Sequence, residues 1–90
     1  MQNILIADDD TTLRTALTRY LKKRNFEVWE AGSGQEALNL FQEKTPDLIV
    51  SDVMMPEMDG FEFCRQVRRS GKGQLIPFLF LSTRGELALS

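Results

Sequence analysis

The chain has 90 residues, of which 42% are hydrophobic and 27% are charged, and its formal net charge is -2. These proportions are typical of one folded domain and argue against a disordered or collagen-like chain. The sequence contains a single cysteine and no histidine. An intramolecular disulfide is therefore excluded, and serine-triad, cysteine-protease and zinc chemistries are disfavoured.

The apolar segments are too short for a membrane protein. The longest of them, Leu75 to Leu81, is interrupted by Pro77 and falls well below the ~20 residues that cross a bilayer. The N-terminal residues have neither the charged region nor the apolar region of a signal peptide. We therefore expect no membrane segment and a cytoplasmic location.

The first quarter of the chain predicts a strand followed by a helix. Asn3 to Ala7 is an apolar run that ends in aspartates, which is typical of a buried strand. Apolar residues then recur at spacings of three and four from Leu13 to Leu21, so an amphipathic helix is predicted, with Thr11 or Thr12 as its cap. The basic residues of this helix, Arg14 among them, are assigned to its solvated side.

A second strand and helix follow. Phe26 to Glu30 is rich in residues that favour strands. Ser33 and Glu36 have the three-residue spacing of a capping box, which predicts the start of the second helix. Pro46 interrupts that helix.

The pattern repeats once more and then adds a fourth strand. Asp47 to Ser51 is the third predicted strand, and it ends at Asp52. Asp59 and Glu62 again have the capping-box spacing at the start of a third helix. Pro77 to Leu81 is the fourth strand. The order βαβαβαβ predicts a single domain over residues 1–90, built on a parallel sheet with helices on both faces.

Acidic residues follow two of these strands. Asp8 and Asp9 come after the first strand, and Asp52 comes after the third. A sheet in the order 2-1-3-4 brings the carboxyl ends of these strands to one rim, where ligands bind in open parallel sheets. Crowded carboxylates need a cation to neutralise them, and oxygen ligands are those that Mg2+ prefers. The sequence therefore predicts a divalent metal site.

Asp52 is also the strongest candidate for a nucleophile. A carboxylate beside a metal ion can attack phosphorus and form an aspartyl phosphate. Asp52 stands alone at the end of its strand. Ser82, at the end of the fourth strand, offers a hydroxyl group to the phosphoryl group, and Thr83 is the competing hydroxyl.

Three segments of the chain resemble the receiver domains of response regulators in two-component signalling. They are Ile4 to Asp10, Asp47 to Gly60 and Phe80 to Gly85. The middle segment carries most of the specificity, because its aspartate, its Met-Pro pair and its Asp-Gly pair must recur at fixed offsets.

This resemblance implies a flavodoxin-like, doubly wound parallel sheet and assigns roles to individual residues. Asp52 is then the phospho-acceptor, while Asp8 and Asp9 are the acidic pair that positions Mg2+. The backbone carbonyl of Met54 is implied as a further metal ligand, and Ser82 as the hydroxyl that reports phosphorylation. The domain is expected to act as a signalling switch rather than as a turnover enzyme.

The resemblance also predicts partners. Receivers of this family continue beyond the position of Ser90 with a helix, a fifth strand that ends in a lysine, and a last helix. We therefore expect a truncated receiver in which Phe78 to Leu81 is an unpaired apolar sheet edge, and a homo-oligomer formed by edge pairing or swapping. The implied partner is a histidine kinase or a phosphotransfer protein, with no direct contact to nucleic acid.

Two other interpretations stay open at this point. One is a receiver fragment that is not phosphorylated and acts only as a dimerisation or docking module. The other rests on Gly32 to Ala37, which matches the G-x-G-x-x-A pattern of dinucleotide sites. The charged strand before this segment disfavours a dinucleotide site, which would also leave Asp8 and Asp9 unexplained. Asp10 is assigned as a charge at a helix N-terminus.

Overall fold

A computed structural model describes residues 2–81 and 87–90 of the chain. The strands in these residues are β1 (Asn3–Ala7), β2 (Glu27–Ala31), β3 (Leu48–Asp52), β4 (Phe78–Leu81) and β5 (Leu87–Leu89). The helices are α1 (Thr11–Lys22), α2 (Gly34–Glu43) and α3 (Gly60–Arg69), and a 3-10 turn follows at Gly71–Gly73. None of the helices in these residues is long and apolar enough to cross a membrane.

The strands form one sheet in the order β2-β1-β3-β4-β5. The first four strands of this order are parallel, and β5 is antiparallel to β4. The predicted alternation of strands and helices and the predicted order 2-1-3-4 are both confirmed. This is the flavodoxin-like arrangement, with β1 and β3 side by side at its centre.

Helices on both faces of the sheet explain why β1 is apolar throughout. Ile4 and Ile6 pack on the face that α1 covers, together with Leu17 of that helix. Leu5 points to the other face, which is covered by α2 and α3. Because successive side chains of a strand point to opposite faces, a strand buried on both sides needs apolar residues at every position.

Aromatic residues dominate the core between the sheet and α2 and α3. Phe41, Phe63 and Phe78 are fully buried there. The rings of Phe63 and Phe78 lie 5.4 Å apart, joining α3 to β4. Truncation of one such ring to alanine costs about 3 to 5 kcal/mol in typical cores, so these contacts fix α3 on the sheet.

The outer side of β4 is covered by β5. Residues 79–81 pair with residues 87–89, and the backbone N–H of Ser90 donates to the carbonyl oxygen of Phe78 at 2.8 Å. The prediction that Phe78 to Leu81 forms an unpaired edge is therefore wrong. The ladder hydrogen bonds on this side are made by a three-residue antiparallel strand.

Helix α1 begins one residue earlier than its sequence pattern suggests. Asp10 is the N-cap, and its Oδ1 accepts a hydrogen bond from the backbone N–H of Leu13 at 3.1 Å. Thr11 and Thr12 are the first residues of the helix, so the prediction of either as the cap is wrong. Asp10 therefore accepts a hydrogen bond from one of the free N–H groups of the first turn. The sequence predicted only a favourable charge at the helix N-terminus for this residue.

Candidate functional site

The candidate site lies at the carboxyl ends of the two central strands. In the parallel pair β1 and β3, Ala7 is opposite Ser51. The next residue of each strand segment, Asp8 and Asp52, therefore reaches the same rim. Helix α1 leaves β1 toward one face of the sheet, whereas α2 and α3 lie on the other. A crevice at such a change of direction is where ligands bind in open parallel sheets.

Three carboxylates meet at this rim. One oxygen atom from each of Asp8, Asp9 and Asp52 lies within 4.8 Å of the other two. The side chains of Asp8 and Asp52 are buried, with exposures of 2% and 9%, whereas Asp9 is exposed. The strand order thus brings together the three acidic residues that the sequence pattern selects.

Asp8 is held in place by its neighbours. Its backbone N–H donates to the carbonyl oxygen of Ala31 at 3.0 Å, and its Oδ1 accepts from the backbone N–H of Asp10 at 2.9 Å. Burial raises the pKa of the Asp8 carboxyl, and the negative charges of Asp52, Asp9 and Asp10 add to this rise. The N–H of Asp10 acts in the opposite sense. The surroundings of Asp8 therefore disfavour the ionised form of its carboxyl.

Asp52 has a similar environment. Burial raises the pKa of its carboxyl, and the charges of Asp9 and Asp10 raise it further. The backbone N–H groups of Met54 and Val53 oppose the shift, because they hydrogen-bond to the ionised form. Both buried carboxyls of the site are thus destabilised as anions by their surroundings.

The loop after β3 is locked to the start of α3. The N–H of Gly60 donates to the carbonyl oxygen of Val53 at 2.9 Å. Asp59 caps α3 by accepting from the N–H of Glu62 at 2.8 Å, as its capping-box spacing predicts. A β-carbon on Gly60 would overlap the carbonyl oxygen of Asp52. Helix α3 therefore begins in direct contact with the backbone of Asp52.

These residues fit a divalent cation. The three carboxylate groups lie close together, and two of them are buried and have raised pKa values, so they supply hard oxygen ligands and concentrated negative charge. Mg2+ takes one or two carboxylates and keeps several waters, and the exposed position of Asp9 leaves a side of the cluster open to solvent.

Met54 and Ser82 are the two other residues that the sequence predicts for this site. The side chain of Met54 is 69% exposed in the loop that follows Asp52. Ser82 lies outside the described residues. The residue before it, Leu81, is in register with Asp52 across the β3 and β4 pair.

A cavity of about 410 Å³ opens beside Asp9. The loops that follow β2 and β3 form its walls, with Ser33 on one side and Pro56 and Met58 on the other. Asp9, the exposed member of the acidic cluster, therefore borders this cavity.

Arg14 is a residue of this site that the sequence pattern missed. The helical periodicity assigned it to the solvated side of α1, yet its side chain is only 18% exposed. Its Nη1 donates to the carbonyl oxygen of Asp8 at 2.6 Å, and its Nε donates to Oε1 of Glu30 at 3.1 Å. The available signal was its position one turn after the cap Asp10, which places it beside the end of β1.

The glycine-rich segment before α2 is a helix cap. The N–H of Glu36 donates to Oγ of Ser33 at 3.1 Å, and Oε2 of Glu36 accepts from the N–H of Gly32 at 3.2 Å. A β-carbon on Gly34 would collide with Met58. Gly34 thus serves close packing, and the carboxylate of Glu36 occupies the helix start where a dinucleotide would need to place its pyrophosphate.

Residues 4–89 match the family model of the response regulator receiver domain. The transcriptional regulatory protein AfsQ1 of Streptomyces coelicolor is 42% identical over 86 residues, which are 96% of this chain and 37% of that protein. Response regulator MprA of Mycobacterium tuberculosis is 42% identical over 85 residues, or 94% of this chain and 36% of MprA. The chain thus spans little more than a third of these relatives.

Solved structures agree with the sequence matches. The chemotaxis response regulator CheY4 of Vibrio cholerae superposes with a TM-score of 0.90 at 38% identity, over 92% of this chain and 69% of that one. The non-phosphorylated receiver domain of HemR from Leptospira biflexa superposes with a TM-score of 0.84 at 30% identity, over 96% of this chain and 68% of that one.

Proposed function

Because the chain belongs to the response regulator receiver domain family, whose general function is a phosphorylation switch, we propose that it accepts a phosphoryl group on Asp52. Receiver domains are signalling modules, and we assign this chain to the same class, a switch rather than a turnover enzyme. The observation that carries the proposal is the convergence of Asp8, Asp9 and Asp52, with oxygen atoms within 4.8 Å of one another.

Receiver domains bind Mg2+ in an acidic pocket, and we propose that this chain does so too. The carboxylates of Asp8, Asp9 and Asp52 and the backbone carbonyl of Met54 would hold the ion. When bound, Mg2+ neutralises negative charge between the phospho-acceptor and the incoming phosphoryl oxygens. The raised pKa values of Asp8 and Asp52 support this assignment, because burial and neighbouring negative charges disfavour the ionised form of both carboxyls.

Asp52 is the proposed nucleophile for a physical reason. It is the last residue of β3, which pairs with a strand on each side, and the first residue of helix α3 contacts its backbone. A carboxylate oxygen of Asp52 forms the new bond to phosphorus, and the bond from phosphorus to the leaving group of the donor breaks. The product is an acyl phosphate, and the leaving group departs with the electron pair of the broken bond.

Ser82 is proposed as the hydroxyl that donates a hydrogen bond to the phosphoryl group. The support is the register of β4, in which Leu81 pairs with Asp52 and Ser82 is the next residue of the sequence. Replacement of Ser82 by alanine is expected to leave attachment of the phosphoryl group intact. It should weaken the conformational change that phosphorylation causes.

Receiver domains interact with histidine kinases or phosphotransfer proteins, and we propose a donor of that kind in the cytoplasm for this chain. The cavity beside Asp9 supports access of such a donor to the site. A homo-oligomer formed through the edge of β4 has no support, because β5 occupies that edge.

Intact-mass measurement tests the proposal. The protein is incubated with acetyl phosphate and Mg2+, and one phosphoryl adduct is expected on the wild-type chain and none on Asp52→Asn. Asp47→Asn is the matched control: it makes the same substitution just before β3, where Asp47 accepts from the N–H of Asn3 at 2.8 Å. This variant should be modified like wild type. Absence of an adduct on all three proteins would favour the docking module.

A further inference from the structure

Arg14 links the candidate metal site to the neighbouring strand β2. Its Nη1 donates to the carbonyl oxygen of Asp8 at 2.6 Å, and its Nε donates to Oε1 of Glu30, the fourth residue of β2, at 3.1 Å. The guanidinium group therefore spans the ends of two adjacent strands. Its acceptor just after β1 is the carbonyl of Asp8, a residue of the acidic cluster itself.

The guanidinium group also lies close to Gly32 and is mostly shielded from solvent. A β-carbon on Gly32 would lie 3.3 Å from Nη1 of Arg14, so the group rests against the backbone just after β2. The side chain of Arg14 is 18% exposed, whereas that of Glu30 is 38% exposed. An ion pair with one partner this open adds little to stability, so the main effect of the contact is geometric.

The bonded carbonyl belongs to the peptide unit between Asp8 and Asp9. A hydrogen bond that fixes the direction of this carbonyl fixes the plane of that peptide. The plane in turn sets the ψ angle of Asp8 and the φ angle of Asp9. Those two angles set where the side chain of Asp9 lies relative to that of Asp8, and hence whether the two carboxylates can reach one ion.

We infer that Arg14 is a positioning residue for the metal site, acting through the carbonyl of Asp8 without contact to the metal or the phosphoryl group. This inference rests on the proposed function, because it concerns the same Mg2+ site. Residues that orient metal ligands typically contribute about 10 to 100-fold to metal affinity. Lysine is a poor substitute, because a single ammonium group does not reproduce the planar fork that reaches two acceptors in different directions.

Isothermal titration calorimetry with MgCl2 tests the inference. The variant Arg14→Met keeps an unbranched apolar stem and removes the donors, and its dissociation constant for Mg2+ is expected to rise about 10-fold. Arg19→Met is the matched control on the same helix, since it has the same change in charge at an exposed position. Its affinity should equal that of wild type.

Phosphorylation by acetyl phosphate gives a second readout that a purely structural role would not produce. In Arg14→Met, the Mg2+ concentration for half-maximal rate should rise, and the rate at saturating Mg2+ should return to that of wild type. If this variant does not fold, Arg14→Lys replaces it, with weakened Mg2+ affinity as the expected result.

The outcomes separate the inference from the function on which it rests. Equal Mg2+ affinities for wild type and for the folded Arg14 variant would overturn the inference and leave the proposed function standing. A wild-type protein that takes up neither Mg2+ nor a phosphoryl group would overturn the proposed function itself, and the inference with it.

Discussion

Gly60 lies so close to Asp52 that a β-carbon at this position would overlap the carbonyl oxygen of the aspartate. The first residue of α3 is thus in van der Waals contact with the backbone of the proposed phospho-acceptor. No other residue type fits this contact without movement of either the helix or the strand end. The absence of a side chain at Gly60 is therefore part of the site.

Substitution of Gly60 by alanine should reduce stability. Overpacking of a tight contact typically costs about 1 to 3 kcal/mol, and here the displaced atom is in the backbone of Asp52. Urea unfolding measures the free energy, and the yield of phosphoryl adduct should fall in parallel. Gly71→Ala is the control, because nothing lies within 4 Å of its added β-carbon. Equal stability of the two variants would contradict the close contact at Gly60.

The carboxyls of Asp8 and Asp52 should lower the stability of the metal-free protein as the pH rises above their ordinary pKa. Burial raises the folded-state pKa values of the Asp8 and Asp52 carboxyls above their ordinary value. The unfolded chain therefore releases its protons first, and the free energy of unfolding falls until the pH exceeds the folded-state pKa values. Urea titrations in EDTA across this range measure the effect.

The variants Asp8→Asn and Asp52→Asn isolate this pH effect from the other acidic groups. Each removes one buried carboxyl, so each should be more stable than wild type in the absence of metal. The advantage should be small at low pH, grow as the pH rises through the folded-state pKa, and then level off. If the difference in the free energy of unfolding between variant and wild type does not depend on pH, the folded protein does not disfavour the ionised form of these carboxyls.

Mg2+ should reverse this penalty in wild type. At a free concentration about 100 times the dissociation constant, a ligand that binds only the folded state adds about 2.7 kcal/mol to its stability. Thermal unfolding with and without MgCl2 should show this gain for wild type and for Asp47→Asn. The gain should be lost in Asp9→Asn, because Asp9 contributes an exposed carboxylate to the cluster. Stabilisation of Asp9→Asn equal to that of wild type would argue against its place in the metal site.

Asp10→Ala should destabilise helix α1. Loss of an N-cap side chain costs about 1 kcal/mol, because the N–H of Leu13 then has no partner in the first turn. Thr11→Ala is the comparison, since Thr11 is a helical residue and alanine has the higher helix propensity. Chemical unfolding of both variants distinguishes them. A larger loss in Thr11→Ala would restore the cap that the sequence pattern suggested.

The acidic cluster could be predicted from the sequence because the order of apolar and acidic residues locates the strand ends. Asp8 and Asp52 each follow an apolar run, and parallel strands bring their carboxyl ends to one rim. The same reasoning did not reach Arg14. Helical periodicity predicts which side of α1 a residue occupies. It does not predict the contacts of that residue with other elements, such as the hydrogen bond from Arg14 to the carbonyl of Asp8.

The two wrong predictions about the fold, the cap of α1 and the unpaired edge of β4, have similar causes. Asp10 and Thr11 are adjacent and have comparable preferences for the N-cap, so the pattern does not separate them. Strand β5 contains three residues near the end of the sequence, too few for an alternating pattern to emerge. Its pairing with β4 depends on the position of the chain in space, which sequence periodicity does not describe.

The most direct test of the proposed phosphorylation of Asp52 locates the phosphoryl group on the chain. After reaction with acetyl phosphate, reduction with borohydride converts an acyl phosphate of aspartate to homoserine, and peptide mass spectrometry identifies the residue. We predict homoserine at position 52 in the presence of MgCl2, and a strongly reduced yield in EDTA or in the Asp9→Asn variant. Modification at another residue, or at Asp52 with the same yield in EDTA, would contradict the account.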